Sequence, residues 1–78
     1  MKILISGICG FAGSTLAHGL LDNVSGREII GLDNLSRSGS QLNVEPLRKR
    51  GITVRHADIR FASDVESLPD VDWIIDAA

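Results

Sequence analysis

The 78-residue chain has little of what marks several common classes of protein. It has one cysteine, Cys9, so no disulfide can close within it; this usage fits a reducing, cytoplasmic setting. Lysine and arginine total 8 against 10 acidic residues, a formal net charge of −2, which supplies no electrostatic footprint for nucleic acid or for an anionic membrane surface. No apolar run approaches the ~18 residues that a membrane span requires. Lys2-Ile3-Leu4-Ile5 looks like the opening of a secretory signal, but glycines at 7, 10 and 13 interrupt the apolar stretch a signal needs, and none is expected. A chain this short makes one domain and hides only about 60–65% of the surface its unfolded form exposes.

What is present is a regular alternation of short apolar runs with helical patterns. "KILIS", residues 2–6, is a bounded run of strand length. From Phe11 the period changes: Ala12, Leu16 and Leu20, with Ala17 and Leu21 beside them, make one apolar helical stripe that Asp22, Asn23 and Gly26 end. "EIIGLD", residues 28–33, predicts a second strand and "NLSRSGS" a polar loop. "QLNVEPLRKRG" predicts a helix stopped by Gly51, with Pro46 tolerable only in its first turn and Arg48-Lys49-Arg50 as its solvated end. "ITVRHA", residues 52–57, predicts a third strand. Ser63 to Glu66 has capping-box spacing, opening a short helix that stops at Pro69, and "VDWIIDAA" is a fourth apolar run.

Alternating strands and helices predict a doubly wound α/β fold with about four parallel strands. Strands so uniformly apolar expect helices on both faces, yet the third crossover offers one short helix to the second face. The expectation is therefore that residues 1–78 are the N-terminal portion of a larger domain. On that reading the fourth strand and one sheet face would be uncovered, and the rest of the domain and a substrate domain would lie outside this chain.

Gly7, Gly10 and Gly13 crowd the junction between the first strand and the first helix, where each glycine costs roughly 1 kcal/mol against alanine within a helix. In a dinucleotide-binding turn the first glycine permits the tight bend, the second admits the pyrophosphate, and the third lets helix pack on strand. The anion then sits at the helix N-terminus without help from lysine. The spacing alone is a weak signal; its context strengthens it. Asp33 closes the second strand about 20 residues after Gly13, where a ribose-binding carboxylate belongs. Such a carboxylate accepts from ribose hydroxyls and repels a 2′-phosphate, favouring NAD over NADP. Arg37, in the same loop, either accepts a 2′-phosphate or lies solvated beside the adenosine. Cys9 has no evident base beside it and reads as a small loop filler, and His18 and His56 read as structural. A P-loop hydrolase is excluded, since neither GxxxxGKS nor GxxxxGKT occurs.

Four segments in order, "ISGICGFAGSTLA", "GLDNLSRSG", "HADIR" and the terminal "DAA", resemble the N-terminal half of extended short-chain dehydrogenase/reductases of the NAD-dependent nucleotide-sugar epimerase/dehydratase type. The resemblance covers essentially the whole chain, with GxxGxxG spacing and Phe11 after the second glycine. Within that family "DNLSR" followed by Gly39 most resembles CDP-paratose epimerases; UDP-galactose and UDP-glucuronate epimerases carry related loops. The resemblance implies a Rossmann fold, NAD as cofactor, a nucleotide-sugar substrate and a homodimeric whole protein. It implies that Phe11 and Ala12 lend amides to the pyrophosphate, Asp33 holds the ribose, and Asn34, Ser36 and Arg37 line the adenosine pocket. Asp58 would accept from the adenine amino group, the Ile59 amide would meet a ring nitrogen, and Ala77 and Ala78 would be the small residues where the chain passes the cofactor.

The family's chemistry uses a tyrosine base in a YxxxK motif with a serine or threonine partner; NAD takes a hydride from the sugar, and an epimerase returns it to the other face. This chain has no tyrosine, and its lysines are Lys2 and Lys49. No catalytic and no metal-binding residue is assigned, and the chain alone is expected to be inactive. The alternative reading is a non-catalytic dinucleotide-binding or sensor protein of the same fold.

Overall fold

Ile3, Leu4 and Ile5 follow one another with no polar residue between them, so the strand they form must be covered on both faces. In the computed structural model, which describes residues 1–36, 38–58, 66 and 68–77, this strand, β1 (Lys2–Ser6), lies inside a four-stranded parallel sheet. β2 (Glu28–Asp33) flanks it on one side with β3 (Thr53–His56) beyond, and β4 (Trp73–Asp76) flanks it on the other, in the order β3-β2-β1-β4. Helix α1 (Phe11–Asn23) joins β1 to β2. A 3-10 segment, Ser40–Asn43, runs into helix α2 (Val44–Lys49) and joins β2 to β3. The doubly wound parallel α/β sheet expected from the alternation is the one observed. Pro46 occupies the first turn of α2, where its missing N–H has no intrahelical partner to lose. The short helix expected from Ser63 falls, apart from Glu66, outside the described residues.

The strand alternation divides the core in two. On one face Ile3, Ile5, Ile29 and Val54 pack with Ala17 of α1 and Leu47 of α2, and Ile8, Cys9 and Ile52 complete the cluster. On the other face Leu4, Ile30 and Leu32 are buried with Ala57, Leu68 and Val71 packed against them. The expectation of an uncovered second face is thus corrected: Leu68 and Val71, in the chain that returns to β4, lie against it. β4 is the less covered strand, with Trp73 63% and Ile74 68% exposed, while Ile75 packs against the first cluster. The stripe on α1 also shifts. Gly13 and Ala17 are the buried residues, with Leu20 and Leu21 packed below them, while Ala12 is exposed. The reason is steric, because α1 approaches the turn after β1 through Gly13, which has no side chain.

A second bare residue has the same use. A Cβ on Gly31, in the middle of β2, would stand 2.4 Å from Ile8 Cδ1 and 2.5 Å from Ile8 Cγ2. Ile8 therefore fills the space above β2 and anchors the turn after β1, helped by its amide donating to the Leu32 carbonyl at 3.2 Å. Beyond the sheet, Arg50 donates to the Asp22 carboxylate and, at 3.0 Å, to His18 Nδ1, linking α1 to the end of α2. His18 is accordingly a structural residue, and the Arg50 hydrogen bond holds the Asp22 carboxyl below the usual carboxylate range.

Two outcomes follow from the packing. Gly31→Ala forces Ile8 out of its seat and should lower the unfolding free energy by about 1–3 kcal/mol in urea melts. Cys9 is fully buried, and burial, followed by the nearby Asp33 carboxylate, pushes its thiol up to about 11. It should therefore resist Ellman's reagent in native buffer near about pH 8 and react only as the protein opens; prompt labelling would contradict this placement.

Candidate functional site

Because every strand is parallel, all four end at one edge of the sheet, on Ser6, Asp33, His56 and Asp76. Strand order reverses at β1, with β2 on one side and β4 on the other. Loops leaving the strands on either side of such a reversal diverge and leave a crevice. A cleft of about 220 Å³ lies there, lined by Gly7, Gly10, Asp33, Asn34, Ser36, Ser40 and Ala77. A smaller recess shares Gly7, Asp33 and Asn34 with it and adds Ser6, Leu32, Ala57 and Asp58.

The turn after β1 makes one wall. Gly7 has φ 68, in the left-handed region where glycine is at no disadvantage, and its carbonyl accepts from the Gly10 amide at 3.1 Å. Gly13 has no room for a side chain: a Cβ there would lie 2.3 Å from the Gly7 carbonyl oxygen and 2.8 Å from Ile8 Cα. Gly10 differs. A Cβ on it would come no nearer to the protein than 3.4 Å, an ordinary contact with the Gly7 oxygen. The fold does not need Gly10 bare, and Gly10 lines the cleft. Gly10 precedes α1 in extended conformation without a side-chain cap, so the amides of Phe11, Ala12 and Gly13 open the helix with no intrahelical acceptor. Phe11 is 86% exposed beside them. Neither lysine nor arginine is among the described residues lining the cleft or the recess. Attraction for an anion rests on main-chain N–H groups and the helix dipole.

Asp33 makes the opposite wall. One carboxylate oxygen accepts from the Cys9 amide at 2.9 Å and the other from the Leu35 amide at 2.8 Å. It thereby ties the end of β2 to the glycine turn. A carboxylate has about four acceptor positions, so both oxygens keep capacity for hydroxyls. Leu35 is left-handed, φ 56, which costs a non-glycine residue about 1 kcal/mol. The bond to Asp33 and the packing of Leu35 against the first core cluster hold it there. The reversal turns Asn34 and Ser36 toward the cleft. Asn34 Oδ1 accepts from the Ser36 amide at 3.1 Å, and its Nδ2 donates to Asp58 Oδ2 at 3.2 Å. His56 Nε2 lies 3.2 Å from the Asn34 carbonyl, which can only accept, so that nitrogen carries the proton. His56 thereby braces the loop that carries Asn34.

The structure therefore gathers Gly7, Gly10, Asp33, Asn34, Ser36, Asp58 and Ala77 around one continuous mouth, with Phe11 and Ala12 beside it. Arg37, Ile59 and Ala78 lie outside the described residues. Sequence reasoning missed Ser40, buried and on the cleft wall. It also missed Asn43, which donates to the Cys9 carbonyl at 2.6 Å, and the Ser6 hydroxyl, which donates to Asp76 at 2.7 Å across the ends of β1 and β4. Only Gly31 left a mark, as a glycine within a β-branched strand.

This geometry has known counterparts. The family model described as NAD dependent epimerase/dehydratase family matches residues 3–78. CDP-paratose 2-epimerase from Salmonella typhi is 45% identical over 69 residues, covering 87% of this chain and 20% of that protein. The crystal structure of dTDP-glucose 4,6-dehydratase from Bacillus anthracis in complex with NAD superposes with a TM-score of 0.88 at 29% identity, covering 100% of this chain and 26% of that one. The chain thus spans about a fifth of the curated relative. With its match running through the glycine turn, Asp33 and all four strands, it belongs to the NAD dependent epimerase/dehydratase family.

Proposed function

We propose that this chain is the NAD-binding part of a nucleotide-sugar epimerase or dehydratase. The observation that carries the reading is the contrast between two glycines. Gly13 is bare because protein fills its side-chain space, whereas Gly10 is bare with open cleft before it. A diphosphate bridge fits that opening, since it needs close main-chain approach and the free amides of Phe11 and Ala12. Across the cleft Asp33 accepts from the adenosine ribose hydroxyls, and its charge disfavours a 2′-phosphate. Asn34 and Ser36 line the adenosine. Asp58 accepts from the adenine amino group. Ala77 keeps the far wall low where the chain passes the cofactor.

Bound NAD supplies a hydride acceptor for oxidation of the sugar. These residues bind and orient it, and none of them moves the sugar's proton. We assign that step and the choice of sugar nucleotide to the whole protein, as the likeness to CDP-paratose 2-epimerase and dTDP-glucose 4,6-dehydratase supports, and propose that the whole protein is a cytoplasmic homodimer.

Titration calorimetry with NAD and NADP tests the reading. Gly10→Val should keep the wild-type melting temperature and abolish NAD binding, whereas Gly13→Ala should lower the melting temperature itself; NAD affinity undiminished in Gly10→Val would remove the diphosphate from this turn. Asp33→Ala loses hydrogen bonds to a charged group, so NAD should weaken about 10- to 100-fold. Its preference for NAD over NADP should narrow, as it should in Asp33→Asn, which removes the charge and little volume. Unchanged selectivity in both variants would take Asp33 out of the ribose site.

A further inference from the structure

Asn43 closes the 3-10 segment that runs into α2, with helical dihedrals, φ −88 and ψ −7, and no side-chain bond to that helix. Its Nδ2 reaches across 34 residues of sequence to the Cys9 carbonyl, at 2.6 Å in partly buried surroundings. That carbonyl belongs to the peptide unit joining Cys9 to Gly10. The other polar atom of the same unit, the Gly10 amide, donates to Gly7 at 3.1 Å. The preceding unit is held as well, through the Cys9 amide on Asp33 Oδ2. A peptide plane turns as one body, and Gly10, without a Cβ, sets little of its own geometry. The orientation of the chain as it enters α1 is therefore imposed from outside, by Asp33 on one plane and Asn43 on the next.

We propose that Asn43 is a positioning residue for the glycine turn, holding the Cys9–Gly10 peptide so that the Phe11 and Ala12 amides face the cleft before any ligand arrives. It touches no ligand itself, and the inference rests on the dinucleotide reading above. Its physical content is preorganisation: donors already aimed lose little freedom on binding, whereas a turn free to rotate must be ordered first. A free Cys9 carbonyl would also present an unpaired acceptor beside an anion site, which the Asn43 amide neutralises.

The test has two arms on the intact protein, with Asn43→Ala and Asn43→Gln. In the first, without ligand, hydrogen–deuterium exchange of the segment 8–12 should quicken about fivefold or more in the alanine variant, while residues 28–33 of the sheet keep their protection. In the second, calorimetry should show NAD weakened about tenfold and adenosine, which has no phosphate, by less than about twofold. Glutamine, which keeps the donor, should recover most of the loss. Unaltered exchange at the turn, or equal losses for NAD and adenosine, would overturn the proposal, since a general loosening moves both ligands together. A wild-type protein that takes no NAD would overturn the dinucleotide reading instead, and the exchange arm would then decide the Asn43 role alone.

Discussion

Helix α1 reaches the turn after β1 through a contact between main chain and main chain. The space a Gly13 Cβ would occupy is already held by the Gly7 carbonyl oxygen at 2.3 Å and by Ile8 Cα at 2.8 Å. Everything at the site follows from that closeness. It sets α1 directly behind the turn, so that the first helical amides end at the C-terminal edge of the sheet rather than beside it. It also moves the buried stripe of the helix onto Gly13 and Ala17, leaving Ala12 and Phe11 outside.

A second glycine supports the same turn from below. Ile8 sits on Gly31 of β2, Asp33 at the end of that strand takes the Cys9 amide, and Asn43 beyond it takes the Cys9 carbonyl. Three successive features of the segment after β1 are thus tied to three places after the first crossover. On the proposed function, main-chain dipoles held in this way are what an anion meets. Asp33 holds the Leu35 and Cys9 amides at the end of its strand and still keeps lone pairs for further donors.

The fold was largely legible because its signals are local. The bounds of β1 and β2 match their apolar runs residue for residue, and α1 starts at Phe11 and ends within the expected stop; Gly51, the expected stop after α2, has φ 86, open to glycine and unfavourable to other residues. β3 and β4 proved shorter than their apolar runs, since hydrophobicity marks what is buried and not where ladder pairing stops. Ser40, Asn43 and the Ser6–Asp76 pair were not legible. A serine or asparagine in a polar loop has the same composition whether it meets water or a carbonyl 34 residues away.

Alone, the sequence determined the alternation of strand and helix, the glycine turn and the carboxylate that follows it. These depend on period, on missing side chains and on spacing along the chain. Only the tertiary structure decided that protein fills the side-chain space at Gly13 and leaves it open at Gly10. It also decided that Leu68 and Val71 lie against the second face, and that Asn43 reaches the Cys9 carbonyl. Those outcomes turn on distances between segments remote in sequence, which no local pattern encodes.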